Sequence, residues 1–294
     1  RPYDNLSMAV TMHADGRLDK EIIGSIVESL TCDPEDHDDW QRLQNIFCAP
    51  SLQIISFTIT EKGYKLTDHS GKYFADVLQD IEIGPEKPVS AMGRIAALLY
   101  RRYKAGAYPV ALLSMDNFSH NGDKIKEVVL AFAGKWTQKG MTDKGFAEYI
   151  SDKDKVAFPW SMIDKITPQP SERVRNNLKE AGFADAELIH AGKSDYSLFV
   201  NAERTQYLVI EDAFPNGRPP LEKKGVIFTD KDTVDKVEHM KVCTCLNPLH
   251  TTLAVYGCLL GYTLIADEMK DVQLKKLIEL IGYKEGLPVV VDPE

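Results

Sequence analysis

Residues capable of acid–base chemistry are concentrated in one short segment, from Glu238 to His250. Within it, Lys241 could remove the proton of an alcohol if burial or nearby charge lowered its pKa towards neutrality. Asn247 and His250 could then bind the oxygen atoms of that alcohol. A structural interpretation is also open, in which Lys241 forms a surface ion pair with Glu238 and Asn247 caps a helix. In that interpretation His250 is partly buried, and spacing alone favours it.

The composition is that of an ordinary globular protein with an acidic surface. The 294 residues suffice for one large or two ordinary domains, and 44% hydrophobic with 27% charged residues is typical of soluble proteins. A formal net charge of -9 repels nucleic acid and anionic membranes, so we expect neither as a partner. A local group of lysines and arginines could still bind an anionic substrate.

Two further features bear on where the protein works. Five scattered cysteines are an odd, low number that fits a reducing compartment rather than a disulfide framework. The longest apolar run, residues 253–266, is too short to span a bilayer and predicts a buried helix. We expect no signal peptide and a cytoplasmic location.

Strand-like and helical segments alternate along the chain. Apolar and β-branched segments predict strands at residues 6–12, 52–60, 108–114, 198–200 and 206–210. Helical patterns predict helices at residues 18–30, 40–47, 91–104 and 123–134, and residues 157–170 are predicted to form strand and turn. This order predicts an α/β protein with a parallel sheet and with its chemistry at the carboxyl ends of the strands.

A change of pattern near residue 229 marks the predicted domain boundary. Strands and loops dominate before it, whereas residues from 231 to about 282 are helical in pattern. We therefore predict two domains, residues 1–229 and residues 230–294, of which the second carries the lysine.

Five segments, in the same order, carry a resemblance to a known family. They are Ser-Phe-Thr-Ile-Thr-Glu-Lys-Gly-Tyr at 56–64, Ser-Met-Asp-Asn-Phe-Ser-His-Asn-Gly at 114–122, Val-Ala-Phe-Pro-Trp-Ser-Met-Ile-Asp-Lys-Ile-Thr-Pro at 156–168, Ile-Glu-Asp-Ala-Phe at 210–214 with Gly-Arg-Pro-Pro at 217–220, and the segment at 238–250. In these motifs the chain resembles the polyol-specific long-chain dehydrogenases, the mannitol dehydrogenase family, which includes mannitol 2-dehydrogenase, fructuronate reductase and tagaturonate reductase. The resemblance extends over nearly the whole chain.

The resemblance implies a fold, a cofactor and a substrate class. Residues 1–229 would be the remainder of a Rossmann-like dinucleotide-binding domain, followed by a mostly α-helical catalytic domain. The reaction would be metal-free hydride transfer between a secondary alcohol and NAD, with NADP also possible. The substrate would be a small-molecule sugar acid or sugar alcohol. Fructuronate and mannonate are the favoured pair and fructose and mannitol the alternative, whereas the oligomeric state stays open.

The chain departs from the family pattern at the catalytic segment and at both ends. Five residues separate Lys241 from Asn247 where four are usual, and Pro-Leu replaces the common Gly-Ser or Gly-Ala before His250. No two glycines are separated by a single residue, so we expect the Gly-x-Gly phosphate-binding loop to lie before Arg1. A basic substrate-binding cluster is expected to lie beyond Glu294.

The resemblance gives four residues a role in the chemical step. Lys241 would be the general base, and Glu238 would exchange protons with solvent. Asn117 and Asn247 would stabilise the alkoxide with neutral amide donors. The structural alternatives are an ion pair of Glu238 with Lys241, a turn residue at Asn117 and a helix cap at Asn247.

Four more residues would bind substrate or cofactor. By resemblance, His250 and Asp212 would contact substrate hydroxyls, with a satisfied core histidine and a turn carboxylate as the alternatives. Thr60 and Glu61 would lie beside the nicotinamide, because they follow a predicted strand at its carboxyl end. Asp164 is interpreted as structural.

Two other functions remain open from the residues alone. Cys243, Cys245 and His250 could bind zinc, although their spacing differs from the common C-x2-C pattern and no fourth ligand is evident, so we expect no metal. A non-catalytic carbohydrate-binding protein that shares the fold is the other possibility. The set formed by Lys241, Asn117 and His250 favours an enzyme.

Overall fold

The structure is a computed structural model that describes residues 5–13, 15–191, 194–204 and 206–293. Its strands are β1 (Ser7–Met12), β2 (Leu18–Ile23), β3 (Ile54–Phe57), β4 (Val110–Ser114), β5 (Val156–Ala157), β6 (Ser161–Asp164), β7 (Ile189–Ala191), β8 (Ser194–Tyr196), β9 (Phe199–Glu203), β10 (Tyr207–Glu211) and β11 (Ile227–Thr229). Its α-helices are α1 (His37–Cys48), α2 (Thr60–Gly63), α3 (Ala75–Ile83), α4 (Ala91–Gly106), α5 (Asn121–Gln138), α6 (Lys144–Ser151), α7 (Glu172–Glu180), α8 (Lys231–Glu238), α9 (Asn247–Leu259), α10 (Ile265–Glu268) and α11 (Val272–Glu279). In the described residues, π-helical segments cover His239–Leu246 and Leu280–Gly286, and 3-10 turns cover Leu221–Lys224 and Leu287–Val289.

A parallel sheet in the order β3–β4–β5 lies within the largest hydrophobic core. Every residue of β4 is buried, and the buried faces of α4 and α5 belong to the same core. The hydroxyl of Ser90 begins α4 by accepting a hydrogen bond from the backbone N–H of Gly93. Since parallel strands point the same way, the residues that follow β3 and β4 lie at one edge of the sheet.

Two further three-stranded sheets are mixed rather than parallel. β10 lies between antiparallel β6 and parallel β11, and β1 lies between antiparallel β2 and parallel β9. β7 and β8 form an antiparallel hairpin. The prediction of a parallel sheet therefore holds for the central sheet and is wrong for the others in the described part of the chain. A short turn, such as the one between β1 and β2, can join only antiparallel strands.

From Lys231 onward every regular element of the described chain is helical, as predicted for residues 231 to about 282. α8 packs against β6 and β10, and its Val234 and Val237 share a small core with Met162 and Val209. This contact fixes the position of the π-helical segment that follows α8 directly. Within the described residues, no helix is long and apolar enough to cross a membrane.

The predicted helix at residues 18–30 is wrong. Leu18–Ile23 is instead strand β2, paired along its whole length with β1, and residues 24–30 have no regular structure. The apolar side chains at helical spacing are not buried, since Val27 is 85% exposed. Gly16, with φ +89, makes the turn of the β1–β2 hairpin, and pairing with the neighbouring strand outweighs the local periodicity.

The prediction of a buried helix at residues 253–266 is also wrong. Half of this segment, residues 253–259, belongs to α9, but only Leu253 and Gly257 of that helix are buried. Leu259 is 76% exposed and Leu260 is 61% exposed. A helix buries only the face that neighbouring elements cover, and here α10 and α11 contact one side of α9.

Most other predicted elements are confirmed with small changes at their ends. The helices predicted at 40–47, 91–104 and 123–134 correspond to α1, α4 and α5, and each predicted strand overlaps an observed one. The short helices α3, α6 and α7 were not predicted, because fewer than three turns give a weak periodic signal. Ser171, which caps α7 by accepting from Val174 N–H, was the available sequence signal.

Candidate active site

The carboxyl ends of β3 and β4 meet at one edge of the central sheet. Phe57 of β3 is paired with Ser114 of β4, so Thr60 and Asn117 follow neighbouring strand ends. Both residues are exposed. Thr60 has φ +61, a backbone conformation that β-branched residues rarely adopt. Strain of this kind persists only where the surrounding structure enforces it, and it is frequent at functional sites.

The side chain of Asp116 connects these two strand ends. Its carboxylate accepts hydrogen bonds from the backbone N–H groups of Ile59 at 2.9 Å and Thr60 at 3.1 Å, and from the hydroxyl of Tyr64 at 2.7 Å. Tyr64 is fully buried, and this burial raises the pKa of its phenol, with Asp116 adding to the effect. The phenol therefore stays protonated and donates. The strained turn after β3 is thus held by the residue immediately before Asn117.

Asn121 fixes the other end of the loop that follows β4. Its buried amide donates to the carbonyl oxygens of Asp116 at 3.1 Å and Ser161 at 2.9 Å, and its oxygen accepts from Ser161 N–H at 3.1 Å. A Cβ atom at Gly122 would lie 2.2 Å from the carbonyl oxygen of Phe158, so only glycine fits there. The loop that carries the candidate amide is therefore held at both ends.

The predicted base, Lys241, lies in the π-helical segment between α8 and α9. Its Nζ lies 2.5 Å from Oδ2 of Asp164, the last residue of β6, and 4.6 Å from the centre of the Tyr207 ring. The lysine and aspartate side chains are 28% and 24% exposed, so this ion pair is partly buried. The alternative in which Lys241 pairs at the surface with Glu238 is wrong, because Lys241 forms its ion pair with Asp164 and Glu238 is buried.

Glu238 is the last residue of α8 and contacts the loop after β4. Its Oε1 accepts a hydrogen bond from the hydroxyl of Ser119, two residues after Asn117. The next residue of this loop, His120, lies with Nε2 3.2 Å from Oδ1 of Asp235 in α8. These contacts join the loop of the candidate amide to the helix that leads into the candidate base.

One cavity of about 260 Å³ brings Lys241 and Asn117 together. Asp164 also lines it, and the rest of the described wall is mostly apolar: Met162, Ile163, Val242, Leu246 and Leu249, with Cys245. An amine and an amide that face one small space can remove the proton of an alcohol and stabilise the oxygen left behind. The structure thus unites two of the predicted catalytic residues.

Asn247 and His250 lie elsewhere, on the exposed surface of α9. Neither contributes to the described wall of the cavity that holds Lys241. The alternative role of Asn247 as a helix cap is wrong, since the capping position is Leu246 and no side chain caps this end. The predicted contacts of Asn247 and His250 with substrate remain predictions.

Asp212 and Glu61 each have a basic partner at the surface. Arg218 donates to both carboxylate oxygens of Asp212, at 2.8 and 3.0 Å, and these bonds hold the pKa of Asp212 below its usual value. Glu61 forms an ion pair with Lys65 at 3.1 Å. Neither carboxylate lines the described wall of the cavity. Their roles in binding substrate and cofactor remain predictions.

The zinc alternative finds no support in the geometry. Cys243, Cys245 and His250 are all exposed. Throughout the described ranges, there is no group of three or more His, Cys, Asp and Glu side chains placed to hold a metal ion.

Comparison with known proteins gives the family. The model of the mannitol dehydrogenase Rossmann domain matches residues 2–223, which is most of the chain. This chain belongs to the mannitol dehydrogenase family. D-mannonate oxidoreductase of Thermotoga maritima is 54% identical over 296 residues, covering 100% of this chain and 54% of that protein. Polyol:NADP oxidoreductase of Gluconobacter oxydans is 34% identical over 247 residues, covering 83% of this chain and 46% of that protein.

Two solved structures of polyol dehydrogenases have a similar fold. A substrate-free D-sorbitol dehydrogenase superposes with a TM-score of 0.79 at 29% identity, covering 99% of this chain and 55% of the other. Mannitol 2-dehydrogenase of Pseudomonas fluorescens, in complex with NAD and D-mannitol, gives 0.75 at 29% identity, with 98% and 54% covered. The predicted Rossmann-like class is confirmed. This chain spans about half the length of the relatives it matches.

Sequence reasoning gave no chemical role to several residues that contact the candidate site or its loop. It treated Asp164 as structural and gave no role to Asp116, Ser119 or Tyr207. Asp164 is the last residue of β6 and Asp116 lies two residues after the end of β4, and their places within the motifs at 156–168 and 114–122 were the available signal. Their partners are distant in sequence, so no spacing pattern could identify them.

Proposed function

We propose that the protein containing this chain is an NAD(P)-dependent dehydrogenase of sugar acids or polyols. The observation that carries the proposal is the cavity shared by Lys241 and Asn117. It includes the loop that follows β4, at the carboxyl edge of a parallel sheet, where α/β folds bind their ligands. At the same edge Thr60 and Glu61 are exposed, which fits a nicotinamide ring lying against them.

We favour NAD as the cofactor, and NADP is the alternative. The related mannitol 2-dehydrogenase structure contains NAD, whereas one relative is named polyol:NADP oxidoreductase. When bound, the nicotinamide exchanges a hydride with the alcohol carbon. Side chains of this protein take up the proton of the alcohol hydroxyl.

The cavity residues have distinct tasks in that proton transfer. Lys241 accepts the hydroxyl proton in its neutral form, and the ion pair with Asp164, 2.5 Å away, is the state that follows this transfer. The Asn117 amide donates a hydrogen bond to the developing alkoxide. Glu238, bonded to Ser119, then passes the proton towards solvent.

Three surface residues complete the proposed substrate site. Asn247 supplies a second amide for the alkoxide, and His250 and Asp212 bind substrate hydroxyls. The support for these roles is the match of each residue to a family motif. Their exposure on α9 and after β10 leaves them accessible to a ligand.

Fructuronate and mannonate are the substrate pair that we favour. The relative named D-mannonate oxidoreductase, at 54% identity, supports this choice. Fructose and mannitol are the second candidate pair, favoured by the structural likeness to mannitol 2-dehydrogenase. We also propose a domain boundary near residue 229 and a cytoplasmic location, which suits five free cysteines.

The test is oxidation of NADH and NADPH by the protein as its gene encodes it. Fructuronate, tagaturonate and fructose are offered separately, with and without a chelator. Lys241→Ala should lower kcat by a factor on the order of 10²–10⁴, the usual contribution of a general acid–base group. Lys165→Ala is the matched control, because Lys165 lies beside Asp164 but is outside the described wall of the cavity and donates to the carbonyl of Glu203 at 2.8 Å.

Chelator-resistant turnover that collapses only in Lys241→Ala would support the lysine mechanism and identify the substrate. Folded wild-type protein that turns over none of the three compounds would refute the substrate choice. The favoured hypotheses would then be a dehydrogenase of another polyol or a carbohydrate-binding protein without catalysis.

A further inference from the structure

We propose that Asp116 is a positioning residue for hydride transfer. It holds the turn that carries Thr60 and the loop that carries Asn117 in one fixed arrangement. The inference rests on the proposed function, because it assigns the nicotinamide to the Thr60 side and the alkoxide to the Asn117 side. It adds a residue to which sequence reasoning gave no role.

The donors around Asp116 all come from the neighbouring strand end. One carboxylate oxygen, Oδ2, accepts from Ile59 N–H and Tyr64 hydroxyl, and the other, Oδ1, accepts from Thr60 N–H. Hydrogen bonds to an ionised acceptor are stronger than those between neutral groups. The hydrogen bonds to Asp116 stabilise the backbone of Thr60 at its positive φ, a conformation that needs support from the surrounding structure.

The backbone of Asp116 is anchored as firmly as its side chain. Its N–H donates to the hydroxyl of Ser114 at 3.2 Å, and its carbonyl accepts from the amide of Asn121. Asn117 follows immediately, so its position depends on these bonds. A shift of the carboxylate would therefore change the distance between the two sides of the site. A misplacement of about 1 Å can lower a rate by a factor on the order of 100.

Asp116→Asn is the informative substitution. The side chain keeps its size, but one carboxylate oxygen becomes an NH2 group that cannot accept from Ile59 or Thr60. One backbone N–H would then face another donor. The side chain does not line the described wall of the cavity, so any effect on rate must act through neighbouring residues.

The chain offers a closely matched control in Asp271. Its carboxylate also accepts from two backbone N–H groups, of Gln273 and Leu274, and from one tyrosine hydroxyl, of Tyr262. Both aspartates are partly buried. Asp271 begins α11 and lies outside the described wall of the cavity. Asp271→Asn therefore breaks an equivalent set of bonds away from the proposed chemistry.

The experiment compares full-length wild type, Asp116→Asn and Asp271→Asn with the substrate that wild type accepts. We expect kcat of Asp116→Asn to fall by a factor on the order of 100, with a larger isotope effect from deuterated NADH. Amide hydrogen exchange should accelerate at residues 59 and 60 in this variant even without cofactor. Asp271→Asn should keep the wild-type kcat and the wild-type exchange at those residues.

The outcomes separate this inference from the proposed function. A folded wild type without dehydrogenase activity overturns both. An active wild type overturns this inference alone if Asp116→Asn keeps its kcat, or if both variants lose the same fraction. If Asp116→Asn does not fold, Tyr64→Phe decides, because it removes one of the three donors; a reduced kcat supports positioning and an unchanged kcat refutes it.

Discussion

The ion pair between Lys241 and Asp164 should couple the two side chains energetically. The nitrogen and oxygen are 2.5 Å apart, and the side chains are 28% and 24% exposed. Exposed pairs contribute about 0–1 kcal/mol, whereas removing one partner of a buried pair costs about 3–5 kcal/mol. This partly buried pair lies between the two, so we expect a coupling energy of about 2 kcal/mol.

A double-mutant cycle measures this coupling. Urea unfolding of wild type, Asp164→Asn, Lys241→Met and the double variant isolates the interaction from the effects of each change. The pair of Lys270 with Asp267 is the control, since it is 2.7 Å long but 77% and 47% exposed, and its coupling should stay below about 0.5 kcal/mol. A coupling between residues 164 and 241 no larger than this control would refute the proposed pairing and the assignment of Asp164 as the counter-charge.

Two further perturbations test the packing and the surface charges. The fully buried guanidinium of Arg102 donates to the carbonyls of Phe47, Ala49, Leu52, Tyr108 and Pro109. Arg102→Met should lower the free energy of unfolding by about 4–5 kcal/mol, at about 1 kcal/mol for each lost hydrogen bond. Urea titrations measure this loss, and a value below about 1 kcal/mol would show that these hydrogen bonds contribute little to stability. Arg218 holds the pKa of Asp212 below its ordinary 3.8, so ionised Asp212 stabilises the fold above that value and its contribution disappears as the pH falls through the lower folded-state pKa. Thermal midpoints of wild type and Asp212→Asn should therefore differ at neutral pH and converge in acid; a constant difference would show that the ion pair is not its source.

The central elements could be predicted because their signals are local. The residues of β4 by themselves predict a buried strand, and α4 has a capping serine and a clear apolar face. The β1–β2 hairpin was missed because residues 18–30 also fit a helical period, and only strand pairing decides between the two. The surface of α9 was missed for a similar reason, since apolar residues do not reveal which neighbours cover them.

For the site, the sequence by itself determined the family, the candidate base Lys241 and the amide Asn117, because each lies in a contiguous motif. The tertiary structure alone decided which side chains surround them. Asp116 and Ile59 are 57 residues apart, and Lys241 meets Asp164 only because α8 packs on β6. A charged side chain pairs with an opposite charge that lies close to it in the folded structure. Sequence spacing predicts that proximity within one helix turn or strand, and not between distant segments.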